Sequence, residues 1–148
     1  MSWKLIESAK TRTYVLVADP GEDALEAIGA LARDEKLSAA QITAVGAFAR
    51  ATVGWFDRDA KDYRKIPIEE QCEVLSLVGD IAHGEDGPTV HVHAVLGLRS
   101  GEVRGGHLLE GEVWPTLEVV VRESPAELQK TDHPEIGLAL IDLARSSA

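Results

Sequence analysis

The sequence predicts an α+β domain in which a mixed, largely antiparallel β-sheet carries one main helix packed on it. Three observations lead there. β-forming runs separated by turn residues recur between positions 12 and 122. Only residues 22–36 clearly space their apolar side chains as a helix does, and residues 89–107 have the form of a glycine-turned β-hairpin. A chain of 148 residues, 45% hydrophobic and 27% charged, is expected to be one globular domain over 1–148, large enough to bury a core.

Residues 12–18 (Arg-Thr-Tyr-Val-Leu-Val-Ala) are a strand ended by Asp19-Pro20-Gly21, a strong turn signal. In the helix that follows, Leu25, Ile28, Leu31 and Ala32 share a face, and Glu22 and Asp23 suit the positive end of its dipole. Residues 38–56 read as a strand, a kink at Gly46 and a second strand from Ala47 to Phe56. A charged turn at 57–61 leads to an exposed strand around Tyr63. Residues 70–81 are too apolar for a surface strand and are read as central. A turn at 84–88 precedes the hairpin, Glu110-Gly111 is expected to turn again, and 116–122 form another interior strand. Ser124-Pro125-Ala126-Glu127 has the form of a capping box, which predicts a short helix. The apolar tail, 136–143, fits a strand or a helix equally.

Charge and cysteine usage narrow the function. With a net charge of −10 and no basic run, direct nucleic-acid binding is disfavoured, because such affinity comes from Lys and Arg neutralising phosphates. The single cysteine, Cys72, forbids an intrachain disulfide and reads as a small buried hydrophobe. Neither a membrane span nor a signal peptide is recognisable, so a cytoplasmic protein is expected. A Gly-rich phosphate loop, a Ser-His-Asp order and a CxxC pair are all missing from the sequence.

The hairpin holds the chemistry. On a strand His91 and His93 point the same way, roughly 6.5–7 Å apart. If Arg99-Ser100-Gly101 is a three-residue loop with Gly101 left-handed, Leu98 pairs with Glu102 and His93 faces His107 across the ladder. A loop of two or four residues would send His107 to the other face. Three neutral imidazoles suit zinc and leave a coordination position open, as catalytic sites do. The alternative is a hydrogen-bonded cluster that only packs. His83 and His133 read as ordinary core or surface residues, and Trp55 and Trp114 as core or interface. Arg104 is a candidate to hold an anionic ligand, with a surface arginine as the plainer reading. Glu118 and Glu73 are candidates for proton transfer or for orienting an imidazole, or for structural pairing.

Several motifs in order, Ala44-Val45-Gly46-Ala47, residues 73–81, His91-Val92-His93, Gly105-Gly106-His107-Leu108 and Leu117-Glu118-Val119-Val120, resemble the plant and prokaryote conserved (PPC) domain family over about the whole chain. That resemblance implies a subunit that assembles as a homotrimer, in a fold related to acetolactate decarboxylase, where three histidines hold zinc. Carried over residue by residue, the ligands fall on His91, His93 and His107. Plant members precede the domain with an Arg-Gly-Arg DNA-binding arm, whereas this chain begins Met1-Ser2-Trp3-Lys4. The plant segment implicated in contacting transcription factors falls on residues 70–75, where Glu70-Gln71 depart from its pattern and a buried strand is the plainer reading. Three functions are therefore expected to compete. One is a trimeric zinc site handling a small anionic molecule, as sensor or lyase. The second is a DNA-associated, transcription-regulatory module acting through protein partners. The third is a purely structural oligomer.

Overall fold

The computed structural model describes residues 1–8 and 11–147. Its order is β1 (Ser2–Ser8), β2 (Arg12–Ala18), α1 (Ala24–Asp34), β3 (Ala39–Asp57), β4 (Asp62–Ile68), β5 (Cys72–Gly84), β6 (Gly87–Gly97), β7 (Val103–Glu123), β8 (Lys130–His133) and β9 (Leu138–Ile141). Seven strands form one sheet in the order β1-β2-β7-β6-β5-β3-β4, and β7 also pairs with β3, so the sheet curls back on itself. Among the described residues its ladders run antiparallel, and a single bridge, between His83 and Gln129, is parallel.

The pleat explains the core. Val92, Ala94 and Leu96 of β6, Val74 and Leu77 of β5, and Leu117, Val119 and Val121 of β7 point inward. The buried face of α1, built on Ala24, Ile28 and Leu31, packs on β6, β7 and β2. Asp23 caps that helix by accepting from the backbone N–H groups of Leu25 and Glu26, at 2.9 and 3.0 Å.

Several expectations change. The two strands expected across 38–56 are one strand, β3, with a register shift between Ala44 and Gly46 where the kink was expected. Glu110-Gly111 does not turn: β7 runs through it, with Gly111 buried against the Phe48 ring. The capping box at Ser124 starts no helix. Ser124 Oγ accepts from the N–H of Ala126, but the N–H groups of Glu127 and Leu128 donate to Ser147 and Ser38 instead of to a helical turn. Tertiary partners outbid the local signal. The tail resolves into strand β9, paired with β8. Strand β1 was unforeseen, and Trp55 and Trp114 are exposed rather than in the core. The strands read as interior bury one face only: Leu75 and Val78 of β5 and Val120 of β7 point outward and stay exposed.

Candidate metal centre

The site grows from the hairpin between β6 and β7. Arg99-Ser100-Gly101 forms a three-residue loop in which Gly101 has φ +86°, a left-handed conformation that a side chain would strain. The Leu98 N–H donates to the Glu102 carbonyl at 2.8 Å, which fixes the register. His93 consequently pairs with His107. Gly105 and Gly106 allow the strands to close around it: a Cβ on Gly105 would lie 2.7 Å from the Ala94 carbonyl oxygen, and one on Gly106 2.5 Å from that of Gly54.

Three imidazoles converge on the outer face of the sheet. Ring centroids are 5.2 Å apart for His91–His93, 5.2 Å for His91–His107 and 5.4 Å for His93–His107. One nitrogen from each ring lies within 4.8 Å of the others, and Nε2 of His91 is 3.3 Å from Nε2 of His93. Behind them, Asp80 of β5 places Oδ2 3.5 Å from His91 Nδ1, and Lys130 of β8 places Nζ 3.7 Å from Asp80 Oδ1. Tyr63 of β4 stacks on His107 with centroids 4.4 Å apart. Room for that ring comes from Gly54, where a Cβ would lie 2.7 Å from Tyr63 Cδ1.

The electrostatics favour the neutral form at His93 and His107. Burial, then His91, His93 and Lys130, push His107 down to about 4. Burial and His91 also lower His93. Neutral imidazole is the form that binds a metal. His107 Nδ1 is buried and has no hydrogen-bond partner, an expensive state for a ring nitrogen unless something from outside the chain satisfies it. The carboxylate behind His91 Nδ1 is the arrangement that orients metal-binding histidines. These residues fit a metal ion.

The other candidates lie apart. Arg104 pairs with Leu96, which puts it on the opposite face of the sheet from His93 and His107. Glu73 shares the outer face but pairs with Gly97, toward the far end of the ladder from His91. Glu118 is exposed beside Val45, far along β7. None of the three reaches the imidazoles. Cys72 is buried, facing away from Glu73, and burial raises its thiol, which makes it unreactive. His83 and His133 bond locally, to the Gly84 carbonyl and to Glu135, each at 2.8 Å.

Sequence reasoning missed Asp80, Lys130 and Tyr63. Asp80 had a signal: the tight turn that pairs Gly84 with Gly87 places Asp80 opposite His91 by counting back. Lys130 and Tyr63 had none, because each arrives through the docking of a separate segment.

An antiparallel sheet with one helix and three imidazoles gathered on its outer face defines a class of small α+β proteins with a candidate metal centre. The chain belongs to the Plants and Prokaryotes Conserved (PCC) domain family, whose profile matches residues 6–125. It is similar to a plant- and prokaryote-conserved protein of Pyrococcus horikoshii at 30% identity, covering 95% of this chain and 94% of that one with TM-score 0.83. It is also similar to a protein of Archaeoglobus fulgidus described as metal-containing, at 31% identity, 95% and 98% coverage and TM-score 0.81. A protein of Ralstonia eutropha JMP134, provisionally described as DNA-binding, is 29% identical over 88% of this chain and 90% of that one, with TM-score 0.81. Curated proteins offer no match.

Proposed function

We propose that this chain is a single-domain metal-binding protein over 1–148 in which His91, His93 and His107 hold one zinc ion and a small anionic molecule takes the open position. The observation that carries this reading is the convergence of three imidazole nitrogens within 4.8 Å, with Asp80 behind one ring and an orphaned buried nitrogen on another. An all-imidazole set of three suits zinc. The likeness to a metal-containing archaeal protein at 31% identity supports it. When bound, zinc would supply Lewis acidity and an activated water. The chain's own residues hold it, orient it through Asp80 and shelter it with Tyr63.

The working form in this reading is a cytoplasmic homotrimer. Val45, Leu75 and Val78 are 55%, 53% and 50% exposed, and Val95 and Val120 join them on the outer face. Val78 pairs directly with His93, so the apolar surface adjoins the imidazoles. Other copies of the chain covering it would remove that surface from water and dry the rim of the site. No helix among the described residues is long and apolar enough to cross a membrane.

The test is metal analysis of untagged protein with light scattering. The reading expects one zinc per chain and a trimer, with His93→Ala losing the zinc and keeping the trimer. Less than one zinc per three chains would contradict it. A second reading, a DNA-associated regulatory module acting through protein partners, draws on the description of the Ralstonia relative. A low-salt gel shift that weakens steeply with added salt would favour it, against the net charge of −10.

A further inference from the structure

Asp80 is flanked on both of its oxygens. Oδ2 lies 3.5 Å from His91 Nδ1, and Oδ1 lies 3.7 Å from the ammonium of Lys130. Oδ1 is enclosed by protein and accepts no hydrogen bond, so the Lys130 charge is what the chain offers it. Among the described residues Asp80 makes no other ion pair. The Lys130 side chain is only 6% exposed, so its packed stem fixes where the charge ends.

A separate segment delivers that charge. The His83 N–H donates to the Leu128 carbonyl at 2.7 Å, and the Leu128 N–H donates to the Ser38 carbonyl at 3.1 Å. A parallel bridge sets Gln129 beside His83, three residues along β5 from Asp80. Lys130 follows and pairs with Ile141 of β9. Backbone contacts on both sides of Lys130 therefore seat it. The family match ends at residue 125 and does not extend to it.

The two ring nitrogens of His91 face different neighbours. Nε2 is 3.3 Å from Nε2 of His93, on the side where the two rings meet, and Nδ1 faces Asp80. A carboxylate held at Nδ1 keeps the ring proton there and leaves the Nε2 lone pair for a metal. If the carboxylate turned away, the proton would return to Nε2, where free imidazole side chains prefer it, and would block the ligand position.

We infer that Lys130 is a positioning residue of the metal centre: its charge holds the Asp80 carboxylate toward His91 Nδ1 and so sets which nitrogen of His91 is offered to the ion. The inference deepens the reading of the histidines as a metal site and rests on it. Lys130 acts through Asp80 and touches no metal.

The first test is ¹⁵N NMR of the histidine rings in metal-free protein at about pH 8, above the ordinary imidazole range. Wild type is expected to carry the His91 proton on Nδ1. Lys130→Met is expected to shift the ring toward the Nε2–H form, and Lys130→Arg to keep the wild-type pattern. Zinc affinity, read by chelator competition, is expected to fall roughly three- to tenfold in Lys130→Met, less than for loss of the carboxylate itself. Lys130→Arg should recover it. In an Asp80→Asn background Lys130→Met is expected to change zinc affinity less than about twofold, because its effect passes through Asp80. A charge acting on the ion directly would instead tighten zinc when removed, by the same factor in both backgrounds, and that result overturns the inference. So does a His91 tautomer unmoved by Lys130→Met, or a wild-type ring protonated at Nε2. Zinc that fails to bind, with a tautomer that still follows Lys130, ends the metal reading and sustains the hold on His91. Should Lys130→Met not fold, the wild-type tautomer and Lys130→Gln carry the same decision.

Discussion

Two polar clusters stand on the same sheet, and their difference separates structure from function. At one, Arg12 grips both oxygens of Glu123, with Nη2 to Oε1 at 2.6 Å, and reaches Oε2 and the carbonyl of Glu35, each at 3.1 Å. Tyr14 donates to Glu35 at 2.7 Å, and burial together with Glu35 pushes its hydroxyl up to about 12. The hydrogen bonds that Arg12 donates to Glu123 hold its guanidinium above its ordinary value. This cluster ties β2, the end of α1 and the end of β7 together, and its charged groups answer one another. At the other, three rings crowd together, and a ring nitrogen and a carboxylate oxygen are buried with no partner. The first is complete in itself; the second has partners to gain.

His107→Ala should lower metal affinity by more than the roughly 10–100-fold typical of changes to residues that merely orient a ligand, with the metal-free fold intact by circular dichroism. Arg12→Met should do the reverse. It leaves Glu123 and Glu35 without their cation, costs about 2–3 kcal/mol of stability in urea unfolding, since the pair is only partly buried, and leaves metal uptake unchanged. Asp80→Asn should lower metal affinity roughly 10–100-fold by freeing His91, read by competition with a chelator.

A pH-dependent effect falls on acid stability. His107 is lowered to about 4 in the fold, against an ordinary value near 6.5. Above pH 6.5 the ring is neutral in both states and contributes nothing. As pH falls from 6.5 toward 4, the unfolded chain takes a proton that the native ring refuses, so metal-free protein loses stability at up to about 1.4 kcal/mol per pH unit. Urea midpoints of metal-free protein should drop over that window, and His107→Ala should flatten the drop.

Much of this was legible in the sequence, for a physical reason. The loop Arg99-Ser100-Gly101 and the two-residue alternation around His91 and His93 are local, and they placed His107 across from His93. The helix was legible through Leu25, Ile28 and Leu31. What depends on distant docking was not. The capping box at Ser124 formed its local bond and then lost its helix to Ser38 and Ser147. Alternation also argues against Arg104 as a ligand, since it pairs with inward-facing Leu96 and stands an odd number of residues from His107, on the other face. Lys130 enters from a segment whose course no local pattern announces.

Sharing of one metal ion by His91, His93 and His107 can be seen by anomalous scattering from zinc-soaked crystals. A single strong zinc-edge peak is expected about 2.0–2.1 Å from one nitrogen of each of the three rings. Crystals that take up zinc elsewhere, or a map that is flat between the imidazoles, would contradict it.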